Sequence, residues 1–219
     1  MMPMFPLGSP LLPGALLPLH VFEPRYRRLV RDCLDDSEHE FGVVLIERGF
    51  EVGGGDVRSN VGTVARMLQV AELEDGRYAL VTIGTRRIKV NAWVPDDPYP
   101  LADVNDWPDA DDRDGTDVHA QTSAVDARVR RLNALASELG DTSADTSYEL
   151  NDDLLVASYQ LSAVAPIGAA DRYRLLCAKG PSERISLLGT VLDDIEPALL
   201  FRLEHQSDDD PNTSDFDEP

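Results

Sequence analysis

The hydrophobic pattern of this chain changes period once, and that change limits the folds open to it. Up to about residue 94 the apolar residues fall in short β-prone runs, at 41–46 (FGVVLI), 62–70, 78–83 and 87–94, separated by turns rich in Gly and Asp. Asp75-Gly76 is a hairpin signal, because both residue types tolerate positive φ. From Val118 onward the spacing is helical: Val118, Val125, Val129, Leu132, Ala136 and Leu139 form one stripe of about five turns. Further helices are expected over 152–165, closed by Pro166 and Gly168, over 169–178, and from Pro181 to about Leu203, with Pro197 kinking or restarting the last.

A single helix interrupts the β half. In LLPLHVFEPRYRRLVRDCL (16–34) a strand-like stretch meets Pro24, and Tyr26, Leu29, Val30, Cys33 and Leu34 then follow the i, i+3, i+4, i+7, i+8 spacing of one helix face. Proline suits a first helical turn, where its fixed φ fits and its missing N–H leaves nothing unpaired. Several short strands with one inserted helix suggest a small closed or nearly closed barrel, since closure removes exposed strand edges. The expected class is therefore α+β, a β barrel followed by a helical subdomain.

The formal charge of -20 is unevenly spread. Residues 96–117 contribute -8 and residues 207–219 contribute -6, which leaves -6 for the rest. The expected division is a β subdomain at 1–94, an acidic Pro/Asp-rich linker or loop at 95–117, a helical subdomain at 118–205 and a disordered acidic tail at 206–219. Nucleic-acid binding, which rests on clustered positive charge, is not expected. No run reaches the roughly 18 apolar residues of a membrane helix, and the opening MMPMFPLGSPLLPGALLPL has no basic start and five prolines, so no membrane partner and a cytoplasmic setting are expected. Cys33 and Cys177 read as buried, reduced thiols.

Catalytic motifs are missing. The only lysines, Lys89 and Lys179, stand outside any Gly-Lys-Ser/Thr phosphate loop. Lys179 with Ser182 has the residue types of a Ser/Lys dyad, but Pro181-Ser182 reads as a helix start. His20, His39, His119 and His205 show no metal-ligand spacing, so no metal, no cofactor and no catalytic residue are expected. Gly53-Gly54-Gly55 reads as a loop between strands.

The segment PLHVFEPRYRRLVRDCL, with GALLPLH before it and FGVVLI after it, resembles the amino-terminal substrate-binding domain of the ATP-dependent Lon protease. VGTVARMLQV (61–70), DGRYALVTIGTRRIKV (75–90) and SYQLSAVAPIGAADRYRLL (158–176) continue the likeness in the same order. The resemblance implies a PUA-like β pseudo-barrel followed by an α-helical subdomain, and recognition of polypeptide without the ATPase and peptidase domains of the full protease. The expectation is a stand-alone, non-enzymatic binder of unfolded or degron-bearing polypeptides, a holdase or a proteolysis adaptor working with a separate ATP-dependent protease. The resemblance carries no residue motif for recognition, and hexamer formation is not implied without the missing neighbours.

Candidate contacts therefore come from the strand–helix junction: Leu19, His20, Phe22, Glu23, Arg25 and Tyr26, with Arg66 and Met67, where exposed apolar residues would suit unfolded chain. Glu23 also has a structural account, accepting helix N-terminal N–H bonds. Arg27, Arg28 and Arg31 have two accounts: a patch for an acidic partner or the chain's own acidic segments, or intrahelical pairing of Glu23 with Arg27, Arg28 with Asp32 and Arg31 with Asp35. The rival function is a small-ligand-sensing PUA-like module using Arg66 and the loop at 53–55.

Overall fold

A computed structural model describes residues 1–51, 55–111, 118–141 and 147–206. The elements run β1 (Met2–Leu7), β2 (Leu16–Val21), α1 (Pro24–Asp35), β3 (Glu40–Arg48), β4 (Val57–Glu72), β5 (Tyr78–Val94), β6 (Leu101–Asp106), α2 (Val118–Glu138), α3 (Leu154–Val164), α4 (Ala169–Leu176) and α5 (Pro181–Gln206). The protein is an α+β fold, a PUA-like β pseudo-barrel with one inserted helix followed by four helices.

Five strands close a ring. Strand β1 pairs in parallel with β3 and antiparallel with β6, β3 pairs with β4, β4 with β5, and β5 with β6. Adjacent residues on a strand face opposite sides, and here both sides are covered. Met4, Val44, Val64, Ile88, Val90 and Ala102 fill the inside, while Phe5, Val43, Ala65 and Met67 pack beneath α1. Gly42 shows how tight the inside is, since a Cβ there would stand 2.5 Å from the Met4 sulfur. Burial on both faces explains why FGVVLI is a continuous apolar run rather than an alternation. Of the predicted face of α1, Tyr26, Leu29, Val30 and Cys33 are buried, and Leu34 is partly exposed.

The sequence reading needs two corrections here. The runs 78–83 and 87–94 are one strand, β5, which passes through Gly84 without a break. Gly84 is not a turn: the chain at Leu12 crosses it so closely that a Cβ would lie 2.3 Å from the Leu12 carbonyl oxygen. The second correction concerns the acidic segment 95–117. Its residues Leu101–Asp106 form β6, the strand that closes the ring, because Ala102 and Val104 give it a short apolar inner side, and Leu101 an outer contact, that its aspartates conceal. Residues 112–117 and the acidic tail at 207–219 lie outside the described residues.

The helices share one core, made by Val125, Val129, Leu132 and Ala136 of α2 with Leu161, Leu175, Ile185, Leu188 and Leu192. Asp153 caps α3 by accepting from the N–H groups of Leu155 and Val156 at 2.8 and 3.2 Å. Helix α5 continues through Pro197 to Gln206 without restarting. At its start the Glu183 carboxylate accepts the Lys179 N–H at 2.7 Å, which assigns this acid to capping.

Where barrel and helices meet, two arginines are almost wholly buried: Arg87 of β5 is 2% exposed and Arg184 of α5 is 0% exposed. Asp109, just after β6, joins them. It pairs with Arg184 and, at 3.2 Å, with Arg87, and accepts the Tyr159 hydroxyl at 2.7 Å. Arg87 also donates to the carbonyls of Leu176 and Ala178 at the end of α4, at 2.7 and 2.5 Å, and lies 4.3 Å from the Trp107 ring centroid. Arg184 donates to the Leu175 carbonyl and the Ser158 hydroxyl, and its guanidinium sits 3.8 Å above Tyr159. Buried charges must be paired and hydrogen-bonded to be tolerated, and both are paired; of the two guanidiniums' buried nitrogens, only the Arg87 Nε is left without a partner among the described residues.

Candidate functional site

The strand–helix junction gathers most of the candidate residues. Glu23 ends the strand stretch with extended backbone and is the N-cap of α1, with Pro24 supplying the first turn. Its side chain makes no capping bond; instead the carboxylate accepts from Arg25 at 3.1 Å, while the Glu23 carbonyl takes the Arg27 N–H. The Arg25 guanidinium reaches the Glu51 carbonyl at 3.3 Å and lies 4.5 Å from the Tyr26 ring centroid. Tyr26 is buried, with its ring stacked on Phe5 at 4.2 Å. Burial pushes its phenol up to about 12, opposed by the nearby Arg25 charge.

Above this base is a hollow of about 210 Å³ lined by Phe5, Leu7, Leu19, Phe22, Glu23 and Tyr26. Leu19 is half-buried, His20 is exposed, and Phe22 is 54% exposed. A second hollow of about 390 Å³ follows the other end of β2, lined by Leu7, Leu11, Leu17, Leu19, Ala163 and Arg172 among others. Leu7, Leu19 and Glu51 line both, so the two form one apolar groove along β2. Exposed Leu16 flanks it at one end and exposed Phe22 at the other. A larger hollow of about 550 Å³ is lined by Asp109, Asp111, Asp152 and Asp153, a carboxylate-rich wall ill suited to apolar chain.

Other candidates stand elsewhere or play other parts. Met67 itself is 8% exposed and packed under α1, so it is not a surface contact; Leu68, next to it at a register shift, is the exposed apolar residue there. Arg66 lies on β4 and pairs with Glu40 at 2.8 Å, away from the groove. On α1, Arg28 pairs with Asp32 as expected, but Glu23 turns to Arg25, and Arg31 donates to the Tyr78 hydroxyl at 3.2 Å instead of pairing with Asp35. Arg27 packs over the turn at Gly76, whose φ of +74 keeps that position free of a side chain. Of the glycine loop, residues 52–54 lie outside the described residues. Among the described residues, no group of three or more His, Cys, Asp or Glu is placed to hold a metal ion and no helix is long and apolar enough to cross a membrane.

Sequence reasoning missed the Arg87–Asp109–Arg184 cluster and Arg172. A signal existed for Arg184: it precedes Ile185 and stands four residues before Leu188 on the buried stripe of α5, where a charge needs a partner.

The fold is a ring-closed barrel with a groove along its edge strand β2. Solved structures share it: a Lon N-terminal domain protein from Xanthomonas campestris matches with TM-score 0.65 at 29% identity, over 86% of this chain and 96% of that one. The N-terminal domain of a Mycobacterium avium complex Lon protease matches with TM-score 0.64 at 19% identity, over 88% and 98%. The family model described as the ATP-dependent protease La (LON) substrate-binding domain matches residues 1–194, and the chain belongs to that family. Among full-length relatives, the Lon protease of Anaeromyxobacter dehalogenans is 33% identical over 63% of this chain and 16% of its own length. That of Cytophaga hutchinsonii is 26% identical over 93% of this chain and 25% of its own length. The chain thus spans a quarter or less of these relatives.

Proposed function

We propose that this protein recognises unfolded or degron-bearing polypeptide through the groove along β2 and performs no chemistry on it. The observation that carries the reading is the groove itself: an apolar trough beside a strand that has one free side, with Leu16 and Phe22 exposed at its ends. Folded proteins bury such residues, so a surface that displays them suits segments whose own apolar side chains are exposed. The family's description as a substrate-binding domain supports the same reading.

Because the full-length relatives are ATP-dependent proteases by family, the protein acts as an adaptor or holdase that presents clients to such a protease, in the cytoplasm. The small-ligand reading has less behind it, since Arg66 is tied to Glu40 and lines neither part of the groove. The test is titration with a reduced, permanently unfolded polypeptide and with its folded counterpart at two salt concentrations. Preferential binding of the unfolded form that survives added salt is expected. Equal binding to both forms, or binding to neither, would end the reading.

A further inference from the structure

The groove reading leaves open what in a client is recognised, and the backbone of β2 narrows it. Among the described residues β2 pairs with β5 alone, while the other five strands are each paired on both sides. Which backbone groups are left over follows from the register. The Gly84 N–H donates to the Ala15 carbonyl at 2.9 Å, one step before Leu16 meets Ile83. In an antiparallel pair, hydrogen-bonded and non-bonded positions alternate. Leu17, Leu19 and Val21 therefore turn their backbone groups toward β5, and Leu16, Pro18 and His20 turn theirs away from it, to the free edge of the strand. Pro18 fits this phase, since a proline is tolerated in a strand where its absent N–H faces outward. The free side thus offers three carbonyls, of Leu16, Pro18 and His20, and two N–H groups, of Leu16 and His20.

The two ends of the groove differ in charge. Near α1, the carboxylate of Glu23 is matched by Arg25. At the other end Arg172 of α4 has no carboxylate partner among the described residues: one of its nitrogens reaches the Ala165 carbonyl at 3.4 Å, and its buried Nε has no partner. Burial pushes this guanidinium below its usual range.

We infer that an extended client segment adds antiparallel to β2 as an extra strand, with its C-terminal carboxylate seated at Arg172. An antiparallel neighbour of β2 ends where β2 begins, beside Ala15 to Leu17, which is the end that Arg172 and Ala163 line. The seat spans the six residues of β2, about 20 Å of extended chain. Side chains of the client alternate between the apolar trough and solvent, so backbone bonds supply affinity for many sequences. Pro18 argues against a second copy of the chain as the occupant, because a self-paired edge would lack an N–H from each copy.

This inference rests on the polypeptide-binding reading, and the experiment separates the two. An eight-residue peptide alternating leucine and serine with a free carboxylate is titrated into the full chain, alongside its C-terminal amide and two forms N-methylated at alternate residues in opposite phases. The amide should bind about tenfold more weakly. One methylated form should lose about tenfold or more and the other should bind as the parent does, because one phase alone faces β2. Arg172→Gln should bind acid and amide equally, and the peptide series remains decisive if that variant fails to fold. Equal effects of the two methylated forms would overturn strand addition, and equal binding of acid and amide by the unaltered protein would overturn the carboxylate seat. Concentration-dependent dimers dispersed by the peptide would replace the client with a second copy. If the unfolded polypeptide binds while the peptides show no phase, this inference fails and the function stands. If the unfolded polypeptide does not bind, the function itself fails.

Discussion

Replacing Asp109 with alanine should destabilise this protein far more than removing any carboxylate from the outer surface. The side chain is 10% exposed and pairs with two guanidiniums, of which Arg184 is 0% and Arg87 2% exposed. Its removal also leaves the Tyr159 hydroxyl without this acceptor. Breaking a buried ion pair costs about 3–5 kcal/mol, since the remaining charge has lost its partner without regaining water. The low end applies here, because Arg184 keeps the Leu175 carbonyl and Ser158 hydroxyl and Arg87 keeps the Leu176 and Ala178 carbonyls. A loss of about 3 kcal/mol corresponds to a fall in Tm of about 9 °C for a chain of this size. Differential scanning calorimetry of Asp109→Ala beside Asp103→Ala gives the comparison. Asp103 is exposed on β6 and its substitution should change stability by less than about 0.5 kcal/mol. If both variants melt with the parent, the buried cluster does not hold barrel and helices together and the reasoning is wrong.

Phe22→Ser should weaken binding of unfolded polypeptide about tenfold with little change in Tm, because the ring is 54% exposed; titration and melting together check this, and unchanged binding would move the site away from the junction. Gly84→Ala should cost about 2 kcal/mol or more in urea unfolding, since its Cβ would stand 2.3 Å from the Leu12 carbonyl oxygen, and a neutral result would mean that the 9–14 crossing yields freely. Alkaline stability should fall between about pH 10 and 12: the phenols of Tyr26 and Tyr99 are both raised to about 12, by burial first, and Tyr99 also by its bond to Asp32. The folded state then holds more protons than the unfolded one in that window, so stability is intact below about pH 10 and is lost as pH rises through 12. Urea midpoints across the window, with tyrosinate absorbance, read it, and flat midpoints would contradict it.

Much of this was legible in the sequence. The period change separated barrel from helices, and Pro24 placed the start of α1, because both signals are local. Strand β6 was hidden, since its apolar side is short and stands among nine aspartates, so charge spoke louder than alternation. The unbroken β5 was hidden for another reason: Gly84 signals a turn locally, but its use is to admit the crossing chain at Leu12, a neighbour 72 positions away. The site divides the same way. Leu19, Phe22, Glu23 and Tyr26 adjoin one another in sequence and share one hollow, whereas Leu7, Ala163 and Arg172 reach the groove only through the tertiary fold.

That distance matters for how the groove works. One wall is β2, part of the barrel, and the far end belongs to α3 and α4, part of the helical half. Their relative position is not set by the groove, whose apolar lining is non-directional. It is held by the buried packing of Leu12 and Val61 against Tyr159 and Leu176 and by Arg87, whose guanidinium holds the carbonyls of Leu176 and Ala178 just beyond Arg172 on the same stretch of chain. The Leu176 carbonyl is an orphan acceptor of a helix C-terminus, where a cation is favoured. Arg184 ties the next helix to Asp109 by the same means. The acidic segment after β6, which in the sequence reads as a spacer, thus supplies the one carboxylate that lets two buried arginines fix the far end of the groove against the barrel.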